Sequence, residues 1–329
     1  MLNRKGFTLI ELLVASIMML VVLGASYSYY IFYVGNINKE RAKAVLQEKV
    51  QTSFNLIAED IRHAGFALQK ENNGICAFSI DDNCSVGDET FCKNGTDRLF
   101  VADGWQMIRD FTNDNCPDGI ISNATYETIV NKNYHANPTY TPNTKFIVAN
   151  TLNIDSVCRG SSTACGDGSC DDIKDNKAII ICGCKDGTGK YGQEGRRISS
   201  IDNATSTINF LSKESALKYY NCSNGNIVPA NVWYVRKTTD GTYWLYRNQE
   251  KVLKNVLNFQ VCAGYDENGD GIVNGSFNNG LCSGEYLNSL PSNASISKLK
   301  FFVIGIQTFY KWKNKTFPVF FVSSTESFH

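Results

Sequence analysis

The chain has 329 residues, 32 of them basic and 32 acidic, so its formal net charge is zero. That balance excludes the broad basic field of a nucleic-acid binder, and the length leaves room to bury a sizeable core. Aromatic residues at 12% exclude a disordered chain, three histidines leave little for His-based catalysis or zinc chemistry, and twelve cysteines point to disulfides in an oxidising compartment. Composition therefore predicts a folded, exported protein that is not an enzyme.

Residues 1–6, MLNRKG, are short and polar and include Arg4 and Lys5. Residues 7–34 follow as FTLIELLVASIMMLVVLGASYSYYIFYV, 28 residues with one formal charge, Glu11. About 20 apolar residues span a bilayer core as a helix, so this segment is long enough to cross. The basic residues before it predict a cytoplasmic N-terminus, and Tyr27, Tyr29, Tyr30 and Tyr33 gather at the far end, where amphipathic rings favour the interface. A secretory signal would need small residues at its exit, and Leu23-Gly24-Ala25 makes a poor cleavage site. A plain anchor would not explain Glu11, because a carboxylate in the apolar segment costs on the order of 3 kcal/mol and needs a partner.

Basic residues, then Gly6, Phe7, Glu11 as the fifth residue counted from Phe7, and an unbroken apolar run resemble the class III signal of type IV prepilins. That resemblance implies cleavage by a prepilin peptidase between Gly6 and Phe7 and methylation of the new Phe7 amine. It also implies that Glu11 meets the Phe7 amine of a neighbouring subunit, which offsets the burial cost of both charges and sets the register between helices.

After Gly35 the sequence predicts an amphipathic continuation over residues 35–65. Ala42, Val45, Leu46, Val50, Phe54, Ile57 and Ile61 form an apolar face at helical spacing, and Arg41, Lys43, Glu48, Lys49, Glu59, Asp60 and Arg62 occupy the other positions. Gly65 is the expected stop. Residues 7–64 would then form one helix of roughly 85 Å. The segment Glu59-Asp60-Ile61-Arg62-His63-Ala64-Gly65-Phe66 resembles the acidic-Leu/Ile-Arg-x-Ala-Gly-aromatic stretch of PilW-type minor pilins, which makes His63 a helix-end residue rather than a ligand.

Strand signals dominate the remainder, 66–329. Residues 177–182 read as a short buried strand, and residues 232–236 and 243–247 as a hairpin around Asp240-Gly241. Residues 252–262 and 297–310 alternate as strands, and residues 317–322 supply a last one. The 297–310 strand is apolar on both faces, with Leu299, Phe301, Val303 and Phe309 opposite Phe302, Ile304, Ile306 and Tyr310, which predicts a central position. The strand order over 232–322 also resembles PilW-type and pseudopilin J-type proteins. Residues 67–230 read as an insertion of loops rich in Asn, Gly and Cys. The fold expected is α+β and pilin-like: one long N-terminal helix, membrane-embedded in its first half, on an antiparallel β-sheet domain with disulfide-stapled loop insertions.

Two further features invite chemistry. Asp266, Asn268 and Asp270, followed by Gly271 and the Ile272 carbonyl, match the first half of an EF-hand-type loop, with Asn274 or a distant carboxylate to close a calcium shell. The twelfth position is Phe277 instead of a bidentate Glu, and an Asn/Asp/Gly turn without a ligand fits the same residues. The cysteines, Cys76, Cys84, Cys92, Cys116, Cys158, Cys165, Cys170, Cys182, Cys184, Cys222, Cys262 and Cys282, contain no Cys-x-x-Cys pair, and outside the membrane they predict up to six disulfides of open connectivity. Cys182 and Cys184 are expected to pair with different partners. The Gly187-x-Gly189 run reads as a loop, since no helix signal follows it.

The resemblance implies a minor pilin in type IV pilus assembly or initiation at the pilus tip. Its expected partners are the inner membrane, prepilin peptidase, other minor and major pilins and a tip adhesin; its domain would be periplasmic and later at the pilus or cell surface. A type II secretion pseudopilin of the J kind and a non-polymerising membrane-anchored surface binding protein are the alternatives.

Overall fold

The computed structural model describes residues 8–64, 76–81, 84, 87–102, 145–147, 178–185, 188–202, 207–211, 226–278, 280–312 and 315–326. Among the described residues one α-helix, α1 (Leu9–His63), precedes fifteen strands, and a short 3-10 helix spans Ile296–Lys298. The strands are β1 (Phe78–Asp81), β2 (Arg98–Ala102), β3 (Lys145–Ile147), β4 (Ala178–Lys185), β5 (Tyr191–Asp202), β6 (Thr207–Phe210), β7 (Asn226–Lys237) and β8 (Tyr243–Arg247). There follow β9 (Glu250–Lys254), β10 (Val256–Tyr265), β11 (Gly275–Asn278), β12 (Leu281–Gly284), β13 (Tyr286–Leu287), β14 (Leu299–Trp312) and β15 (Lys315–Glu326). The α+β, pilin-like architecture expected from the sequence is the one observed. The chain divides into two units, Met1–Lys49 with Tyr310–Phe317, and Val50–Phe309 with Pro318–His329.

In the first unit every residue from Thr8 to Tyr33 is exposed. Two serine hydroxyls within this apolar stretch are satisfied by their own helix. Ser16 donates to the Leu13 carbonyl at 2.8 Å and Ser28 to the Gly24 carbonyl at 2.9 Å, the arrangement a lipid surrounding requires. At the other end of the unit, Tyr310 and Phe317 stack at the tip of the β14–β15 hairpin with centroids 5.2 Å apart.

In the second unit the last turns of α1 bury Val50, Phe54, Ile57 and Ile61, each worth about 2 kcal/mol as a buried apolar side chain. Val45, expected on the same face, is 44% exposed, while Ser53 and Asp60 are buried, so the buried stripe is rotated slightly from the one the apolar residues alone trace. The helix ends as the Ala64 N–H donates to Asp60 O at 3.0 Å, with His63 Nδ1 beside the Glu59 carbonyl at 2.7 Å. Gly65 and Phe66 lie outside the described residues.

Among the described residues, nine strands form one sheet in the order β1-β2-β7-β4-β5-β6-β3, with β8 paired to β7 and β9 to β8. All the registered pairs are antiparallel. The 67–230 stretch thus contributes β1 to β6 and the start of β7; of these, β4 is the buried strand expected at 177–182, and the others fall where loops were expected. Ile179, Ile180 and Ile181 of β4 are all fully buried, as a strand covered on both faces should be. Alanines meet across the sheet, Ala230 of β7 lying opposite Ala102 of β2 and Ala178 of β4. Phe100, Ile180, Val232, Tyr234 and Tyr246 make one face of the core. β5 approaches that face at Gly195, where an added Cβ would run into the Phe100 ring.

The β7–β8 hairpin pairs Trp233 with Arg247 through Lys237 with Tyr243. Gly241 takes φ 79° at its tip, and the Gly241 N–H donates to Thr238 O at 2.9 Å. The run 252–262, expected as one strand, is two. Asn255, at φ 63°, turns the chain from β9 in the first sheet to β10 in a second, four-stranded sheet ordered β13-β10-β14-β15. β14 is central there, as its two apolar faces predict, and Phe302 packs on Phe78 of β1 at 4.7 Å between centroids. β11 and β12 form a separate hairpin.

Candidate functional site

Three places carry chemistry, and the first is the start of α1. Thr8 is the residue before the helix, and its Oγ1 accepts the Glu11 N–H at 3.3 Å. Glu11 Oε2 in turn accepts the Thr8 N–H at 2.9 Å and the Thr8 hydroxyl at 3.0 Å. This is a capping box, two otherwise orphaned donors satisfied reciprocally. Glu11 therefore has a partner within its own chain, and the Thr8-x-x-Glu11 spacing, readable in the sequence, is the signal that finds it. The carboxylate is held at the helix start; Gly6 and Phe7, the expected processing residues, lie outside the described residues. The helix beyond is long and apolar enough to cross a membrane, with none of its most apolar window buried.

The second place is the foot of the helix. Asp60, 5% exposed, accepts the Trp233 indole N–H at 2.7 Å, and it takes Arg247 Nε at 2.9 Å and Nη2 at 2.7 Å. Trp233 and Arg247 are directly opposite in the β7–β8 register. One carboxylate therefore ties the last turn of α1 to two strands with a two-pronged arginine contact and a buried indole. Asp60 was expected among the polar-face residues; it is a buried anchor instead.

The third place is the Asp266–Asn274 loop, closed by hydrogen bonds to its own backbone. Buried Asp266 accepts the Gly269 N–H at 2.7 Å through one oxygen and the Gly271 N–H at 2.9 Å through the other. Asn268 Oδ1 accepts the Asp270 N–H at 2.8 Å, and Asp270 Oδ1 accepts the Ile272 N–H at 2.7 Å. Gly269 and Gly271, at φ 79° and 85°, supply left-handed turns that other residues rarely adopt. A residue far along the chain completes the loop. Glu285, between β12 and β13, accepts the N–H groups of Glu267 at 3.1 Å and Asn274 at 2.6 Å. The donor set is hard oxygen, the right kind for calcium. Yet the carboxylates turn to N–H groups, the Lys298 ammonium bonds Glu267 O at 2.7 Å, and among the described residues no three His, Cys, Asp or Glu side chains converge on a metal position.

Three disulfides lie among the described residues: Cys76–Cys182, Cys84–Cys92 and Cys262–Cys282. The last closes the segment containing the Asp266 loop. Cys116, Cys158, Cys165, Cys170 and Cys222 lie outside the described residues, as does the side chain of Cys184. Beside the second disulfide, the Tyr243 hydroxyl donates to Glu89, which also pairs with Lys237 at 3.5 Å. The Tyr243 bond holds the Glu89 carboxyl below the ordinary glutamate range, and the same bond pushes the Tyr243 hydroxyl up.

Residues 1–27 match the family model described as the prokaryotic N-terminal methylation motif. Comparison with curated proteins and with solved structures gave no match. The methylation motif, followed by a long exposed apolar helix, indicates a type IV pilin-like or pseudopilin precursor, fits a membrane-anchored protein, and points in general to prepilin peptidase and other pilins as the kind of partner.

Proposed function

We propose that the chain is a PilW-like minor pilin that acts in assembly or initiation of a type IV pilus, at the tip, and carries out no catalysis. The observation that carries this reading is the methylation motif on a helix whose apolar residues from Leu9 to Tyr33 are all exposed in the isolated chain. Such a surface is stable in a bilayer and, after extraction, among other pilin helices. Processing falls between Gly6 and Phe7. Glu11, held at the helix start by Thr8, exchanges that local partner for the Phe7 amine of a neighbour and so sets the register. The domain lies in the periplasm before assembly and at the pilus surface after it, where residues 67–230 meet partners such as a tip adhesin. The Asp60 anchor supports the PilW-like reading, because it gives the acidic-Ile-Arg segment a physical task.

The first test is the N-terminal mass of the protein recovered from host membranes. A chain starting at methylated Phe7 is expected, and a start at Met1 or near Ser26 would sink the reading. Glu11→Ala should still be processed yet enter filaments poorly. Deleting the gene should abolish pili; loss of protein secretion with intact pili would instead favour the type II pseudopilin.

A smaller proposal concerns the Asp266 loop, which binds Ca2+ through Asp266, Asn268, Asp270, the Ile272 carbonyl and Asn274, with Glu285 as the distant carboxylate. Oxygen chemistry and spacing support it, and the N–H donors already holding these groups oppose it. Asp270→Ala should lower the melting temperature only when calcium is present; identical melting of the parent protein in calcium and in chelator would remove the ion from the account.

A further inference from the structure

The end of the β14–β15 hairpin belongs to the same unit as the apolar part of α1. Its aromatic side sits beside the helix just beyond the apolar segment. Tyr310 stacks on Phe317, and the Lys39 ammonium lies 5.3 Å from the Phe317 ring centroid. Lys39 is five residues past Val34, about 7.5 Å along the helix axis. Among the exposed helix residues from Thr8 to Arg41, Val34, Gly35 and Lys39 are the half-buried ones, marking the side from which the helix is covered.

Beyond the Tyr310–Phe317 pair the hairpin carries Lys311 and Lys315, both exposed, and Trp312, half-buried. Tyr310 and Trp312 are two residues apart on one strand and so share a face, while Lys311 points to the other. An end-on approach to a flat surface presents rings and ammonium groups together. That combination suits the boundary of a bilayer, where amphipathic rings settle at headgroup depth and lysines meet anionic phosphates. Continuity with the membrane segment and the positive charge of the tip both favour lipid as the occupant.

We propose that the tip of the β14–β15 hairpin is a second membrane contact, in which Tyr310 and Trp312 enter the headgroup layer at the C-terminal end of the α1 span while Lys311 and Lys315 bind anionic headgroups. This rests on the reading that α1 crosses the bilayer. The contact would steady the domain against the membrane while the precursor waits for assembly, and it must be released when the helix is extracted.

The test uses the full chain reconstituted in vesicles of phosphatidylcholine, with or without phosphatidylglycerol, containing lipids brominated near the headgroup. Flotation reports insertion of α1, and quenching of tryptophan emission reports the tip. In the parent protein quenching should be present and should increase with phosphatidylglycerol. Trp312→Phe should lose that quenching, and the Lys311→Gln/Lys315→Gln double variant should lose the increase, both with an unchanged far-ultraviolet dichroism spectrum. If the chain floats and Trp312→Phe is quenched as strongly as the parent, the lipid contact is refuted. A tip covered by protein would give that same result. If the chain does not float, the membrane-span reading falls and the tip contact falls with it.

Discussion

Replacing Asp60 with alanine should destabilise the second unit far more than an ordinary change on a helix. The substitution leaves the Trp233 indole N–H, on a fully buried side chain, without its acceptor, which costs about 2 kcal/mol. It also removes both contacts to Arg247, whose side chain keeps 29% of its surface in solvent. Water can partly replace the carboxylate there, so that loss is about 1–2 kcal/mol, below the value for a fully buried pair. The sum, roughly 3–4 kcal/mol, corresponds to a midpoint lower by about 10 °C in a unit of this size. Urea and thermal unfolding of the full chain in detergent, followed through the tryptophan near-ultraviolet signal, would measure it. Arg247→Ala should also destabilise, and the double variant should lose less than the two single losses added together, with a coupling of about 1–3 kcal/mol. A single loss under about 1 kcal/mol, or strict additivity with Arg247→Ala, would refute the anchor.

Two other outcomes test the packing and the electrostatics. Gly195→Ala should cost about 1–3 kcal/mol, since its new methyl group meets the Phe100 ring in a filled core, and a neutral effect in urea unfolding would show that β5 and β2 are spaced differently. The Glu89–Tyr243 bond works between two titrations. The Glu89 carboxyl is lowered in the folded state, so its contribution is complete above the ordinary glutamate range and is lost as pH falls through the lowered folded value. The Tyr243 hydroxyl is raised, so the same contribution is complete below the ordinary tyrosine range and fades as pH rises through the folded value. Stability of the parent minus that of Glu89→Gln should therefore be flat near neutral pH and decline at both ends; a difference independent of pH would contradict the bond.

The parts of this molecule that could be read from sequence are those set by local periodicity. Leu46 to Ile61 show it for the helix, Asp240-Gly241 for the hairpin, and the two apolar faces of β14 for a central strand. The parts that could not be read depend on partners distant in the chain. Asp60 is 173 residues from Trp233, and nothing near it distinguishes a buried carboxylate from the exposed Glu59. β5 reads as loop because Glu194, Arg196 and Arg197 are polar, yet all three are buried. Arg196 pairs with Glu194 at 2.6 Å, and Arg197 lies over the rings of Phe91 and Tyr234 at 3.8 and 4.4 Å. Ion pairing and ring stacking make such burial tolerable, and neither leaves an alternating apolar pattern behind. At the helix start the capping box is legible in sequence, because both members, Thr8 and Glu11, lie in one turn.

The Cys76–Cys182 bridge joins positions 106 residues apart and sits within the core formed by β2, β4 and β7. The whole excursion between them, β1 to β3 included, is therefore a ring closed covalently at one bridge. Tension passing along the main chain from α1 to the later strands can cross at that sulfur bridge without stretching the ring. A protease that nicks the ring leaves the two pieces attached, running as one band on a non-reducing gel and as two after reduction. The bridge also lets the ring change in length or sequence without breaking the path that carries load.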